Sequence, residues 1–79
     1  MRHKNQLPPN YQKLIEFILD DIGAVFQDKP SNIQPICQYM GWTSSQVHSI
    51  LGILAKSGVL AWSRKDRTWT VVQTDQRVA

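Results

Sequence analysis

The sequence predicts a small α+β domain in which three helices are followed by a C-terminal β-hairpin. Three observations carry that expectation. Apolar residues recur at helical spacing as far as Leu54 and at every second position after Gly58. Thr43-Ser44-Ser45-Gln46 has the pattern of a reciprocal helix-start cap. Gly41 and Gly58 stand where two of the helices are expected to stop.

The first helix is read from Tyr11, Leu14, Ile15, Ile18, Leu19, Ile22, Val25 and Phe26, which make one wide apolar face from about residue 10 to 26. Pro8 and Pro9 precede it, and Asn10 is the expected cap for its first free amides. Gln27-Asp28-Lys29-Pro30 breaks the pattern. Phe17 falls off the apolar face. It is expected to cover a neighbouring element, with an exposed association surface as the alternative.

Ser31 or Asn32 is the expected cap of a short second helix, with Pro35 in its first turn, where a missing amide costs little. Ile36, Cys37, Tyr39 and Met40 supply its apolar surface, and Gly41 suits the left-handed position at its end. In the third helix, the Thr43 hydroxyl would accept from the Gln46 amide, and the Gln46 side chain would reach back to the amide of Thr43. Val47, Ile50, Leu51 and Leu54 form the inner stripe, and the helix runs to about Ser57. Val59-Leu60-Ala61-Trp62 and Thr68-Trp69-Thr70-Val71-Val72 are β-prone runs. Ser63-Arg64-Lys65-Asp66-Arg67 joins them, so Trp62 and Trp69 either pair across the hairpin or cap the core.

At 79 residues the chain is expected to be one domain, divided into a flexible basic arm (1–9), the folded unit (10–73) and a frayed tail (74–79). That size excludes a two-lobed enzyme or a large nucleotide-binding fold. No apolar run is long enough to span a bilayer, and no apolar core follows the charged N-terminal residues, so the expected home is the cytoplasm. Cys37 is a single cysteine, far in sequence from His3 and His48. No disulfide, metal site or cofactor is expected, and the thiol reads as a small buried apolar group.

Charge is unevenly placed. Nine Lys/Arg against six Asp/Glu leave a net charge of +3. Residues 1–13 carry Arg2, Lys4 and Lys13; residues 14–28 carry only the acids Glu16, Asp20, Asp21 and Asp28; residues 29–79 are basic again. A polyanion would therefore approach the two ends and avoid the first helix. The densest basic cluster is Arg64, Lys65 and Arg67 in the hairpin loop.

The order helix, helix–tight turn–helix, hairpin resembles the winged-helix superfamily of helix-turn-helix proteins, over about residues 10–73. The carriers are Ile36 to Met40, Gly41-Trp42-Thr43-Ser44-Ser45-Gln46, and Ile50-Leu51-Gly52-Ile53-Leu54-Ala55-Lys56-Ser57-Gly58-Val59-Leu60. The segment from Leu54 to Leu60 is similar to the recognition-helix end and wing start of many small bacterial and phage regulators. Z-form nucleic-acid binders share the layout, and Trp69 resembles their wing tryptophan. However, His48 and Gly52 stand where their recognition-helix Asn and Tyr would fall, and their wing prolines are absent.

The resemblance implies a three-helix winged helix-turn-helix that binds duplex DNA and regulates transcription, with the third helix in the major groove and the wing on the backbone or minor groove. On this chain the outward residues Ser45, Gln46, His48 and Ser49 would read base edges, and Gly52 would allow close approach. Lys56, Arg64, Lys65 and Arg67 would hold phosphates or a narrow minor groove, with Arg2 and Lys4 as a flexible arm. Only Lys56 is permanently charged on that helix face, so monomer affinity should be weak and a homodimer is expected. The alternative is a winged helix that docks a protein partner without binding DNA, through its acidic first helix. No paired carboxylates, metal cluster or phosphate loop appears in the sequence, so an enzyme is not expected.

Overall fold

The structure is a computed structural model and describes residues 8–72. The expected basic arm lies largely, and the C-terminal tail wholly, outside the described residues, Arg2 and Lys4 included. The elements are α1 (Pro9–Phe17), a π-helical turn (Ile18–Ile22), β1 (Val25–Gln27), α2 (Pro30–Met40), α3 (Ser44–Lys56), β2 (Leu60–Ser63) and β3 (Thr68–Val71). The fold is α+β, with three α-helices and one antiparallel sheet in the order β1-β3-β2.

The first helix is shorter than its apolar spacing predicts. It begins at Pro9, with Pro8 as the N-cap residue, and Asn10 lies inside the helix without capping it. Proline suits this start because its missing amide would have no helical partner there. After Phe17 the helix widens into the π turn, which closes with the Gly23 amide donating to the Ile18 carbonyl at 2.6 Å. Gly23 then takes φ +123°, a conformation that glycine reaches at little cost and that ends the helix.

Val25 and Phe26 therefore belong to a strand, not to the first helix. Phe26 is buried in either reading, and that is why its spacing was misleading. Val25 is 61% exposed. The strand exists because β3 pairs with it: Val25 lies opposite Thr70, Phe26 opposite Trp69 and Gln27 opposite Thr68. The C-terminal hairpin is thus two strands of a three-stranded sheet, with β3 in the centre.

The second helix also departs from expectation. It starts at Pro30 with Lys29 as N-cap, and neither Ser31 nor Asn32 caps it. The Asn32 side chain instead donates to the Gln27 carbonyl at 2.8 Å, tying the helix to β1. Pro35 lies in the helix interior, beyond the first turn. It withholds an amide from the Ser31 carbonyl, and Ser31 is exposed, so water can take that place. Gly41 ends the helix at φ +72°, the left-handed cap expected of it.

The capping box at the start of α3 forms as expected. The Gln46 amide donates to Thr43 Oγ1 at 3.2 Å, and the Thr43 amide donates to Gln46 Oε1 at 2.9 Å. Val47, Leu51 and Leu54 are buried, while Ile50 is half-buried.

The core lies between the helices and the inner sheet face. Leu14, Ile15 and Ile18 meet Ile33 and Ile36, the three buried α3 residues, and Phe26, Leu60, Trp69 and Val71 of the sheet. Cys37 is half-buried at its edge, not enclosed. Phe17 covers a neighbouring element: its ring stacks on Tyr39 of α2 with centroids 4.3 Å apart. Trp62 and Trp69 pair across the hairpin at 4.5 Å between centroids.

Candidate nucleic-acid interface

Two features built from the sequence are candidates for contact with a polyanion: the outward face of α3 and the β2–β3 loop. α3 packs on both α2 and β2. Its buried stripe therefore turns Ser45, Gln46, His48, Ser49 and Lys56 outward, and all five are exposed. Gly52 is half-buried, and no atom lies within 4 Å of where a Cβ would stand, so the helix surface is open at that point. Ile53, which was not among the predicted contacts, is 47% exposed on the same side.

Ser45 and Ser49 make no hydrogen bond through their hydroxyls among the described residues. Gln46 and His48 are not free in that sense. Gln46 Oε1 accepts from the Thr43 amide and lies 3.3 Å from the Thr43 hydroxyl. A bidentate contact to adenine uses both ends of a glutamine amide. Gln46 could make one only by opening the capping box.

His48 has an acceptor beside each ring nitrogen, and a neutral imidazole, with one N–H, donates to one of the two. Nδ1 lies 3.0 Å from the Ser44 carbonyl oxygen, and Nε2 lies 3.0 Å from Asp28 Oδ1. The other carboxylate oxygen of Asp28 accepts from Trp69 Nε1 at 3.2 Å. The Asp28 amide donates to the Arg67 carbonyl at 2.9 Å. One residue between β1 and α2 thus joins the exposed face of α3 to the central strand of the sheet. It holds a buried tryptophan on one side and the last residue of the basic loop on the other.

Sequence reasoning missed Asp28, reading it as a helix breaker. Its side-chain contacts are 20 and 41 residues away, so no local pattern announces them. Lys29, the next residue, is an exposed cation beside this junction and was also missed.

Arg64, Lys65 and Arg67 are all exposed in the turn between β2 and β3. Asp66 within the turn makes long contacts to the Ser63 hydroxyl: its amide donates at 3.4 Å, and its carboxylate oxygen accepts at 3.5 Å. Arg67 has φ +56°, the left-handed region, which lets the chain turn back into β3. The loop presents three cations and one acid, all exposed, and the acid contacts Ser63.

Among the described residues, no helix is long and apolar enough to cross a membrane, and no group of three or more His, Cys, Asp or Glu is placed to hold a metal ion. Comparison with known protein families, with curated proteins and with solved structures gave no match.

Proposed function

We propose that this chain is a winged-helix domain that binds duplex DNA in a sequence-dependent way and regulates transcription in the cytoplasm as a homodimer. In this reading α2 and α3 are the helix-turn-helix, joined through Gly41-Trp42-Thr43, and the β2–β3 hairpin is the wing. The observation that carries it is the Asp28 junction. An exposed polar helix face and an exposed basic loop are tied to one residue, so their relative angle is held by hydrogen bonds. A rigid pair of contact elements is what groove recognition requires, because a duplex presents its major groove and its flanking phosphates at a set spacing.

Within that reading Ser45 and Ser49 contact base edges directly. Gln46 and His48 do so only by giving up internal bonds, so their first role is to hold α3. Lys56, Arg64, Lys65 and Arg67 contact phosphates, and Lys29 joins them. Weak charge on α3 makes the monomer a poor binder at physiological salt, and two copies on a two-fold site would double the phosphate contacts.

The test is selection from a random duplex pool at low and at physiological salt, followed by sequencing of what is retained. An enriched palindrome is the expected result. Retention at low salt without a motif would remove sequence-specific regulation. No retention at either salt would remove DNA binding and leave a protein-docking domain, for which the exposed acids Glu16, Asp20 and Asp21 would be the first surface to mutate.

A further inference from the structure

The two tryptophans that face each other across the hairpin are not equivalent. Trp69 is 7% exposed, on the central strand, and its indole N–H is taken by Asp28. Trp62 is 38% exposed, on β2 at the sheet edge. Trp69 packs against one side of its ring, with centroids 4.5 Å apart and the planes tilted by 44°, and among the described residues no strand lies beyond β2 on the other side. Among the described residues the Trp62 indole N–H meets no acceptor. Two residues further on, the chain enters the turn that carries Arg64, Lys65 and Arg67, all exposed.

A flat ring braced on one side by a second, tilted ring leaves its other side open as a stacking surface. Every nucleobase has a face that can lie on it, and the neighbouring cations and the free N–H can take the phosphates on either side. A protein partner would meet the same ring, but the adjoining positive charge favours a polyanion. A paired base inside a duplex cannot offer its face, so the site favours an unpaired base.

We propose that Trp62, with Arg64 and Lys65, forms a binding site for single-stranded nucleic acid or for an unpaired base at an opened duplex, with one base stacked on the outer face of the Trp62 indole. This goes beyond duplex binding and does not rest on it: Arg64 and Lys65 are shared with the proposed duplex contact but Trp62 is not, so variants at Trp62 separate the two.

The experiment titrates the full chain into a labelled oligothymidine about a dozen nucleotides long and, separately, into a relaxed closed-circular duplex, which has neither loops nor ends. Fluorescence anisotropy reads binding, and tryptophan emission reads stacking. The variants are Trp62→Leu, which keeps apolar bulk without a flat ring, and Trp62→Phe, which keeps a smaller ring. The expected result is that Trp62→Leu loses at least about fivefold in affinity for the oligothymidine, while Trp62→Phe loses less. Duplex affinity should change by less than about twofold in both, as for a group outside the contact. The oligothymidine should also quench emission of the natural chain, and that quenching should shrink in Trp62→Phe although binding persists.

Four outcomes would overturn the proposal: no binding of the natural chain to the single strand, equal losses on both ligands, unchanged single-strand affinity in Trp62→Leu, or quenching that survives in Trp62→Phe. If Trp62→Leu abolishes concentration-dependent self-association but leaves oligothymidine binding intact, the ring covers a second copy of the chain, and the nucleic-acid site is wrong.

Discussion

Replacing Asp28 with alanine should destabilise the domain far more than its place in a loop suggests. Asp28 accepts from Trp69 Nε1 at 3.2 Å and lies 3.0 Å from His48 Nε2, with its own side chain 17% exposed. The Trp69 bond is part-buried, so losing its acceptor leaves an indole N–H without a partner. A hydrogen bond to a charged acceptor contributes about 1.5–3 kcal/mol in such a setting. The His48 side chain is 45% exposed, so water replaces the carboxylate there, and that half contributes about 0.5 kcal/mol or less.

The total is about 2 kcal/mol, which lowers the melting temperature of a domain this size by about 10 °C. Thermal unfolding followed by circular dichroism measures it. Asp28→Asn, which keeps a carbonyl acceptor for Trp69, should lose about half as much. His48→Ala should lose about 3 °C or less. A loss below about 3 °C in Asp28→Ala would refute the assignment of Asp28 as the junction. A loss in His48→Ala as large as that in Asp28→Ala would show that the exposed arm, not the buried one, carries the energy.

Two further outcomes are expected. The double variant Arg64→Ala/Arg67→Ala should weaken binding to every duplex sequence alike and lower the salt slope by about 2, with both alanines tolerated because the turn contacts use backbone and Ser63; an unchanged slope in a filter-binding titration would remove the loop from the DNA contact. Thr43→Ala should cost about 1 kcal/mol by removing the acceptor for the Gln46 amide, a fall of about 5 °C in the melting temperature; no fall would mean that water serves this helix end equally well.

Features set within a few residues of one another were legible in the sequence. The start of α3 is an example, because Thr43 and Gln46 satisfy each other across a single turn and need no partner elsewhere. The end of α2 at Gly41 and the hairpin around Arg64 to Arg67 are of the same kind. The exposed face of α3 could also be read, since a helix that buries Val47, Leu51 and Leu54 must turn Ser45, Ser49 and Lys56 outward. What that face contacts is a separate question, and only its exposure follows from the spacing.

What the tertiary structure decided lies at larger separations. Val25 and Phe26 fit a helix by spacing and a strand by residue type. The choice fell to β3, more than forty residues on, which supplies the hydrogen bonds that a three-residue strand cannot make alone. The start of α2 moved for a related reason: Asn32, free to cap a helix in isolation, found the Gln27 carbonyl of that same strand. The Trp62–Trp69 pair could be expected from the hairpin, but which ring would be buried could not, because β1 covers only one side of β3. Asp28 is the extreme case. Its residue type and local surroundings suggest a turn, and its role as the link between α3 and the sheet exists only once both are in place, since a hydrogen bond carries no trace in the sequence between its partners.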